Sequence, residues 1–349
     1  MLLSRFQLIR PPFETTQEET LSWLAEAHAQ ADGTAVLEKL WHVGCKPTHI
    51  AKRGHVLTDF LHRNWDQMEI YQPPIGKSLS ARSQVFDREV DKIFEQYYPE
   101  GALPPEDLIH VSCTGYVSPS GAQKIVSKRN WGEVTTVTHA YHMGCYGSIP
   151  AIRMGRGFLK KQVDIVHTEI CSLHTNPSLH QSDQLVSQSL FADGFMKYSL
   201  LPHCEEPHLK LHMVREEIIP HSSKAMTWNV ESWGFQMSLA KEVPVLIVRH
   251  LPNYLKRLGI PEGALFAVHP GGPKILAHVQ KLLCLSDEQI RFSFQVLKEY
   301  GNMSSATLPH IWQKILEDPS VSSGTPIVSL AFGPGLTIAG ALMEKICGF

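Results

Sequence analysis

The chain has 349 residues, of which 43% are hydrophobic and 19% are charged, and its formal net charge is -2 at pH 7. This is the composition of an ordinary globular protein, long enough for a large core or two core units. The balanced charge argues against nucleic-acid or membrane-surface partners, and no apolar run reaches the length of a membrane span. Seven scattered cysteines without a C-x-x-C pair favour reduced thiols in the cytoplasm over a disulfide framework.

The first part of the chain alternates between helical and strand-like patterns. Helical spacing predicts helices at 16–40, 78–97, 123–129, 148–159 and 183–190, with a basic loop at 45–54. Apolar runs bounded by turns predict strands at 107–113, 133–137, 164–173 and up to 201. This alternation predicts a mostly parallel sheet with helices on its faces.

The second part repeats the rhythm more loosely after a polar stretch at 203–208. Residues 241–250 are apolar enough for either a helix or a strand. Further strands are predicted at 263–269 and 326–332, and helices at 275–283, 287–300 and 307–316. The sequence therefore predicts an α/β fold of two related βα units, divided into 1–205 and 206–349.

A cysteine stands in the turn between a predicted strand and a predicted helix. Cys145 lies between Gly144 and Gly147, just before the helix predicted at 148–159. Backbone N–H groups at a helix start favour a thiolate, which would make this sulfur a nucleophile. The alternative is a buried cysteine that acts as a small hydrophobic residue.

Two more polar residues fall at a strand end and a helix start. His269 follows an apolar strand and precedes Pro-Gly-Gly, and Asn302 follows Gly301. Each has a structural alternative, since a histidine can cap a strand end and an asparagine can cap a helix. Because active residues of open parallel sheets lie at the carboxyl ends of strands, we expect both near Cys145. Together they supply a nucleophile, a base and a neutral donor, a set that suits thioester chemistry.

Four motifs carry a resemblance to a known family. They are MGC at 143–145, HPGGPKIL at 269–276, GNMSSAT at 301–307 and FGPGLT at 332–337. In this order and spacing the chain resembles the type III polyketide synthases, the chalcone-synthase-like branch of the thiolase and ketoacyl synthase superfamily. The resemblance implies a thiolase-like αβαβα layered fold and a homodimer, with the turn at 116–119 near the partner's cavity.

The resemblance also implies residue roles. Cys145 would carry an acyl group from a carrier thioester. His269 and Asn302 would bind the carbonyl of a malonyl extender during decarboxylative Claisen condensation. The product would then be extended and in some cases cyclised to a pyrone or phenolic ring. No cofactor is implied.

Other positions would shape the substrate cavity. The resemblance makes Phe191 and Met237 gatekeepers between an acyl tunnel and a cyclisation pocket, with Phe235 close to the second position. Further expected substrate contacts are Thr114, Ser304 and the glycine loop Gly333, Pro334 and Gly335.

The thioester carrier stays open at this point. Lys39 and Lys46 match two lysines that grip the phosphates of coenzyme A in the family, but His42 replaces the arginine between them. Acyl-CoA and malonyl-CoA are therefore one expectation. Delivery by an acyl carrier protein is the other, with its acidic surface meeting Lys52, Arg53 or the basic group of Arg153, Arg156, Lys160 and Lys161.

Some substitutions predict a cavity that differs from that of the plant enzymes. Tyr146, Ser148 and Ile149 replace a phenylalanine and two glycines after the nucleophile. Phe195 stands where a small residue is usual.

Several rival functions share parts of this pattern. A ketoacyl synthase III-like enzyme would make one condensation, although its histidine motif usually reads His-Gln-Ala-Asn. A non-catalytic partner in a heterodimer would not need the three polar residues. Thiolase proper needs a second cysteine in a glycine-rich turn, and a papain-like hydrolase needs a cysteine signature that is absent. A zinc site at His167, Cys171 and His174 is disfavoured, because His174 would point away and no fourth ligand is evident.

Overall fold

The protein is described by a computed structural model that covers residues 1–158 and 161–348. The strands in this part of the chain are β1 (Leu2–Ile9), β2 (Phe13–Thr16), β3 (Lys52–His55), β4 (Asp107–Ser112), β5 (Thr136–Tyr141), β6 (Val163–Glu169), β7 (Gly194–Leu201), β8 (His208–Ile218), β9 (Met226–Val230), β10 (Phe235–Leu239), β11 (Leu265–Val268), β12 (Pro326–Gly333) and β13 (Thr337–Ile346). The α-helices are α1 (Gln17–Asp32), α2 (Leu37–Val43), α3 (Leu79–Tyr97), α4 (Gly121–Lys128), α5 (Ser148–Gly157), α6 (Ser182–Leu190), α7 (Val243–Leu258), α8 (Pro273–Leu283), α9 (Asp287–Tyr300) and α10 (Thr307–Glu317).

Nine strands form one sheet in the order β11-β12-β13-β8-β1-β7-β6-β4-β5. Only the pairs β11–β12, β4–β6 and β4–β5 are parallel. The prediction of a mostly parallel sheet is therefore wrong. The connection through α6 returns β7 antiparallel to β6, and the terminal strands β1 and β13 also insert antiparallel to their neighbours.

The sheet has the same plan on both sides of the β1–β8 pair. On one side β1–β7 and β7–β6 are antiparallel and β6–β4 is parallel. On the other side β8–β13 and β13–β12 are antiparallel and β12–β11 is parallel. This repeat agrees with the expected thiolase-like fold of two related units. The boundary between residues 205 and 206 falls between β7 and β8 and stays a prediction.

Local sequence signals explain several helix starts. Thr16 caps α1, and Glu19 completes a capping box by accepting from the Thr16 backbone N–H. Ser120 with Gln123 and Ser286 with Gln289 do the same at α4 and α9. The segment at 16–40, whose pattern fits one helix or a helix pair, forms the pair α1 and α2, and the ambiguous segment at 241–250 lies mostly in α7.

Two local predictions are wrong in position. The strand predicted at 133–137 begins at Thr136, because the backbone N–H groups of Val134 and Thr135 both turn back to the Trp131 carbonyl. The loop predicted at 45–54 ends in β3, which pairs with β2. The sequence also gave no signal that we assigned to β1 or to β8–β10.

Helix α5 is buried at the centre of the protein. Ile149 and Ile152 on this helix are 0% exposed and belong to the same core cluster as Trp312 of α10. Burying each isoleucine contributes about 1.5–3 kcal/mol. The residue before this helix is therefore held deep inside the fold. Within residues 1–158 and 161–348, the helices are too short or too polar to cross a bilayer.

Candidate active site

Cys145 lies in a short 3-10 helix, Gly144–Tyr146, that leads from β5 into α5. Gly144 has φ +76°, and a Cβ there would lie 2.7 Å from Cδ of Pro334, so a side chain at this position would be strained and crowded. The Gly144 N–H donates to Sγ of Cys113 at 3.0 Å. Contacts with Pro334 and with Cys113 thus hold the turn that contains Cys145.

His269 and Asn302 come from distant elements but are held by backbone hydrogen bonds. The His269 N–H donates to the Leu330 carbonyl at 2.7 Å, directly after β11. The Asn302 N–H donates to the Leu190 carbonyl at 3.0 Å. Both side chains are 1% exposed, and both line one cavity with Cys145. The structure therefore brings the three sequence-predicted residues together.

Three buried nitrogen atoms in this group have no regular hydrogen-bond partner among the described residues. They are Nδ1 and Nε2 of His269 and Nδ2 of Asn302. Asn302 is oriented by its other atom, because Oδ1 accepts the Ser304 N–H at 2.8 Å. A buried donor without a partner is costly, so Nδ2 of Asn302 and the one protonated nitrogen of a neutral His269 ring are suited to the oxygen of a bound carbonyl compound.

Burial opposes the expected resting thiolate. Burial raises the pKa of Cys145 to about 12, and the nearby Glu169 carboxylate acts in the same direction. The polar side chains of Ser304 and Asn302 lower the pKa of Cys145 but do not outweigh burial. Burial also lowers the pKa of His269 to about 3. Burial thus favours the neutral form of each side chain.

Two cavities meet at Cys145. The larger cavity encloses about 850 Å³, part of it open to solvent, and the smaller cavity encloses about 540 Å³. Both are lined by Cys145, Ser187, Phe191, Met226 and Met237. Phe191 and Met237 thus contact both spaces, and their role as gatekeepers stays a prediction. Phe235 lines only the larger cavity, so Met237 fits the second gate position better.

The glycine loop packs against the turn that holds Cys145. A Cβ on Gly333 would lie 2.0 Å from the Tyr146 ring, so this glycine accommodates the aromatic residue after the nucleophile. Pro334 lines the larger cavity. Gly335 lines neither cavity, and its carbonyl accepts the Ser222 hydroxyl at 2.9 Å. The loop therefore shapes the site mainly through Gly333 and Pro334.

Thr114 and Ser304 both line the larger cavity. The Thr114 hydroxyl donates to Glu169 Oε2 at 3.1 Å, and the Cys113 N–H donates to the same oxygen at 3.0 Å. Burial raises the pKa of Glu169 to about 7. Sequence reasoning missed Glu169 and Cys113. Cys113 ends the strand predicted at 107–113, where that signal could have found it. Glu169 ends β6 but lies inside the strand predicted at 164–173, so no strand-end signal marked it.

An aromatic wall on the larger cavity was also missed. It consists of His174, Trp228 and Phe235. His174 stacks on Phe235 with ring centroids 4.4 Å apart, and its Nδ1 accepts the Phe235 N–H at 3.0 Å. The Trp228 indole N–H donates to the Cys113 carbonyl at 2.7 Å. Trp228 and Phe235 lie on β9 and β10, which the sequence analysis did not assign.

Some predicted site residues lie elsewhere. Lys39 donates to the His180 carbonyl at 2.7 Å, and neither Lys39 nor Lys46 lines either cavity. Phe195 is fully buried in a core cluster rather than in a cavity wall, so it does not alter the cavity as expected. Arg53 is only 2% exposed, so the expectation that it meets a carrier protein is wrong.

The basic group after α5 is partly engaged. Arg153 forms an ion pair with Glu216 at 2.8 Å, and Arg156 donates to the His212 carbonyl at 3.5 Å. The Lys161 N–H donates to Glu106. Lys160 lies outside the described residues. The group therefore does not present a uniformly free positive surface.

The histidines of the disfavoured zinc site are used elsewhere. His167 hydrogen-bonds to the hydroxyls of Ser305 and Tyr198 at 3.0 and 3.2 Å. Both ring nitrogens of His174 are likewise bound, to the Phe235 N–H and the Thr114 carbonyl.

Comparison with known proteins shows which family the chain resembles. Residues 210–347 match the family described as chalcone and stilbene synthases, C-terminal domain. A curated relative, type III polyketide synthase C of Arabidopsis thaliana, is 24% identical over 96% of this chain and 93% of its own length. The chain is therefore similar to the type III polyketide synthases. This similarity indicates an acyltransferase with ketosynthase chemistry.

Solved structures share the fold of this chain over nearly its whole length. The 1,3,6,8-tetrahydroxynaphthalene synthase of Streptomyces coelicolor A3(2) has a TM-score of 0.85 and 23% identity, covering 100% of both chains. The C-terminal type III domain of Steely1 from Dictyostelium has a TM-score of 0.84 and 20% identity, covering 99% of both chains. PKS-I of the brown alga Ectocarpus siliculosus has a TM-score of 0.83 and 20% identity, covering 99% of this chain and 98% of its own. The thiolase-like fold is confirmed.

Proposed function

We propose that the protein joins malonyl units to an acyl starter by decarboxylative Claisen condensation, with the growing chain held as a thioester on Cys145. The observation that carries this proposal is the cavity shared by Cys145, His269 and Asn302. A nucleophile, a base and an amide donor face one space, and the nitrogens of the last two are free to bind an oxygen.

Loading begins from the neutral pair. His269 accepts the Cys145 proton as the sulfur attacks the starter carbonyl, so the thiolate forms only when a substrate is present. The carbonyl–sulfur bond of the carrier thioester breaks, and the carrier leaves as a thiol after His269 returns the proton. The acyl group is then on Cys145.

Extension uses the same two nitrogen donors. The thioester oxygen of the malonyl unit accepts from His269 and Asn302, and the bond to the carboxylate breaks with loss of carbon dioxide. The electron pair of that bond forms an enolate whose oxygen the two donors stabilise. The enolate carbon attacks the acyl carbon, a carbon–carbon bond forms, and Cys145 leaves as a sulfur anion that takes a proton from solvent. The extended chain is then on the carrier of the malonyl unit, and it returns to Cys145 by the loading step before the next extension.

The larger cavity is proposed as the space for the extended chain. It is the larger of the two spaces at Cys145, with about 850 Å³ against about 540 Å³. Phe191 and Met237 would divide it from the smaller cavity, through which thioesters would reach Cys145. Cyclisation to a pyrone or phenolic ring would occur in the larger cavity.

The carrier and the assembly state are also proposals. The similarity to type III polyketide synthases supports coenzyme A thioesters and a homodimer. Lys39 and Lys46 lie outside both cavities, so a role for them would be at the surface, towards the phosphates of the carrier. Tyr116 of the 116–119 turn packs against Phe235 of the aromatic wall, so a partner docked at this turn would influence the larger cavity.

Product analysis tests the proposal. Purified protein is incubated with malonyl-CoA and a panel of acyl-CoA starters, then with the same groups on an acyl carrier protein, and products are identified by mass spectrometry. Multiple extensions support the polyketide function. A single extension indicates the ketoacyl synthase III-like reaction, and no product with any donor indicates the non-catalytic partner subunit.

A further inference from the structure

The larger cavity contains a buried arginine that the proposed reaction does not use. Arg53 lies on β3 and is 2% exposed, and it lines the larger cavity together with His55, two residues along the same strand. Because alternate residues of a strand share a face, both side chains point inward from β3. A charged residue is rarely buried in this way unless it has a partner.

Only one nitrogen of the Arg53 guanidinium is occupied by protein acceptors. Nη1 donates to the carbonyls of Gln188 and Phe191 at 2.8 and 2.7 Å. Nε and Nη2 are buried and have no acceptor among the described residues. These two nitrogens carry N–H groups that point in parallel from one edge of the planar group. This is the edge that receives two oxygens of one carboxylate in a bidentate pair.

The positive charge of Arg53 is not matched by a direct ion pair. Within the described chain, the guanidinium of Arg53 forms no ion pair with a carboxylate at 4.0 Å or less, and Asp193 is the carboxylate that acts on it at longer range. The Asp193 carboxylate is already used, since it accepts from the Val56 and Ser172 N–H groups at 2.8 and 2.7 Å. The Cys45 thiol is also close, but burial raises its pKa to about 11, so it is uncharged at pH 7.

A second buried arginine shows what a purely structural role looks like. Arg82 is 1% exposed and lines neither cavity. Its Nε donates to the Lys77 carbonyl at 2.9 Å, its Nη2 to the Ile75 carbonyl at 3.2 Å and its Nη1 to the Thr175 carbonyl at 3.2 Å. All three nitrogens of Arg82 are therefore engaged in holding loops, whereas two of the three in Arg53 are not.

His55 adds an acceptor but no charge beside Arg53. The Thr20 hydroxyl donates to the Thr16 carbonyl at 2.9 Å, so Thr20 accepts from Thr15, and Thr15 in turn accepts from Nε2 of His55. This chain places the imidazole proton on Nε2 and leaves Nδ1 as a free lone pair. Burial lowers the pKa of His55 well below its usual value, so the ring stays neutral.

We infer that this end of the larger cavity binds a delocalised oxygen anion, with one oxygen on Nε and the other on Nη2 of Arg53. Two sources share this chemistry. One is a carboxylate on the far end of a starter or product, and the other is the enolate of a 1,3-dicarbonyl unit in the growing chain. The second source rests on the proposed function. Because Nη1 also holds the Phe191 carbonyl, occupancy of the site would be felt at the boundary between the cavities.

Probe binding to a variant that does not turn over tests the inference. In Cys145→Ala protein, calorimetry measures the affinity for glutarate, a carboxylate without a 1,3-dicarbonyl, and for pentane-2,4-dione, a 1,3-dicarbonyl without a carboxylate. We expect at least one probe to bind. Arg53→Lys keeps the charge but loses the parallel edge, so it should weaken binding about 10- to 100-fold, and Arg53→Gln at least as much. The matched control Arg82→Lys should leave the affinity of the folded fraction unchanged.

Each outcome is informative. Binding of glutarate alone supports the carboxylate source. Binding of pentane-2,4-dione with its enolate absorption at lower pH than in buffer supports the growing-chain source. Binding of neither probe, or equal affinity in the folded Arg53 variants, overturns the inference.

A second measurement covers variants that do not fold. If the Arg53 variants unfold, the Nε–H resonance of Arg53 in ¹⁵N-labelled Cys145→Ala protein is followed as the probe is added. A resonance that does not move with a bound probe also overturns the inference. Because no turnover is needed, these results are independent of whether the wild-type protein makes a polyketide.

Discussion

The two cavities that meet at Cys145 differ in the side chains that line them. Beyond His269 and Asn302, the smaller cavity is lined mainly by aliphatic side chains from α6, β10, α7 and α8, namely Val186, Leu190, Leu239, Val243, Ile247 and Ile275. The larger cavity has a mixed wall of polar and aromatic side chains, including Arg53, Thr114, His174, Gln188, Trp228 and Phe235.

This difference in lining suits the two cavities to different steps of the proposed reaction. The smaller cavity places the two carbonyl donors in apolar surroundings, where hydrogen bonds to a developing charge are strongest. The larger cavity offers acceptors and donors along its wall, which suits a chain that gains a carbonyl with each extension. In the proposed reaction, the smaller cavity is therefore the space for bond formation and the larger cavity is the space for product.

Removal of the Cys145 sulfur, which both cavities share, should lower product formation more than any other change. Cys145→Ala should lower product formation about 10⁴-fold or more, because both cavities depend on the acyl thioester. Mass spectrometry of products measures this loss. Cys171→Ala is the matched control, since Cys171 is a buried thiol that lines only the larger cavity. Equal activity in the two variants would remove Cys145 from its proposed role.

Loss of one donor in the smaller cavity should have the next largest effect. Asn302→Ala should slow malonyl decarboxylation about 10²- to 10³-fold while acyl transfer to Cys145 continues, because the amide acts on the enolate oxygen. Release of carbon dioxide and acylation of the protein are measured separately. Equal slowing of both steps would show that Asn302 positions Cys145 instead.

The raised pKa of Cys145 predicts how its rate of alkylation changes with pH. Alkylation by iodoacetamide should rise about tenfold per pH unit between about pH 6 and 9, because only the small thiolate fraction reacts. Ionisation of Glu169, whose pKa is about 7, adds negative charge near the sulfur and should reduce the slope slightly around that pH. A rate that is flat with pH would indicate a resting thiolate paired with imidazolium. Peptide mapping separates Cys145 from the exposed Cys284 and Cys347. Slow labelling near pH 7 is therefore expected of the enzyme as well, and does not by itself indicate a non-catalytic partner.

The boundary between the cavities should affect product more than rate. Met237→Ala should change turnover by less than about tenfold but should enlarge the common space, so that the mixture of products shifts to longer chains or bulkier starters. Phe235→Leu is the comparison, because Phe235 lines only the larger cavity. An unchanged product mixture in Met237→Ala would mean that this side chain does not separate the two spaces.

The residues of the proposed catalytic group could be selected from sequence because Cys145 precedes a helix and His269 follows an apolar strand. Their meeting in one cavity could not be derived from that rule, because β5 and β11 are the two outer strands of the sheet and tertiary packing brings their ends together. The family motifs reinforce these positions. The helix pair α1 and α2 and the helix α3 also carry periodic apolar patterns that predict them well.

The protonation of Cys145, the burial of Arg53 and the directions of the strands depend on tertiary packing, which no local sequence pattern encodes. The thiolate was expected because Cys145 stands at a helix start. That reasoning left out the burial of Cys145, which has the largest effect on its pKa. Arg53 appeared as a surface residue because its neighbours are basic, whereas β3 turns it inward. Direction of strand pairing was wrong because the pairing of β1 with β7 and β8 joins residues about 200 positions apart in sequence, beyond any local signal.

Acylation of Cys145 is the most direct test of the proposed chemistry. The protein is incubated with an acyl-CoA starter alone, digested at low pH and mapped by mass spectrometry. The account predicts one starter acyl group on the peptide that contains Cys145, lost again when malonyl-CoA is added and product appears. Acyl transfer to another cysteine, or product formation without any acyl group on Cys145, would contradict it.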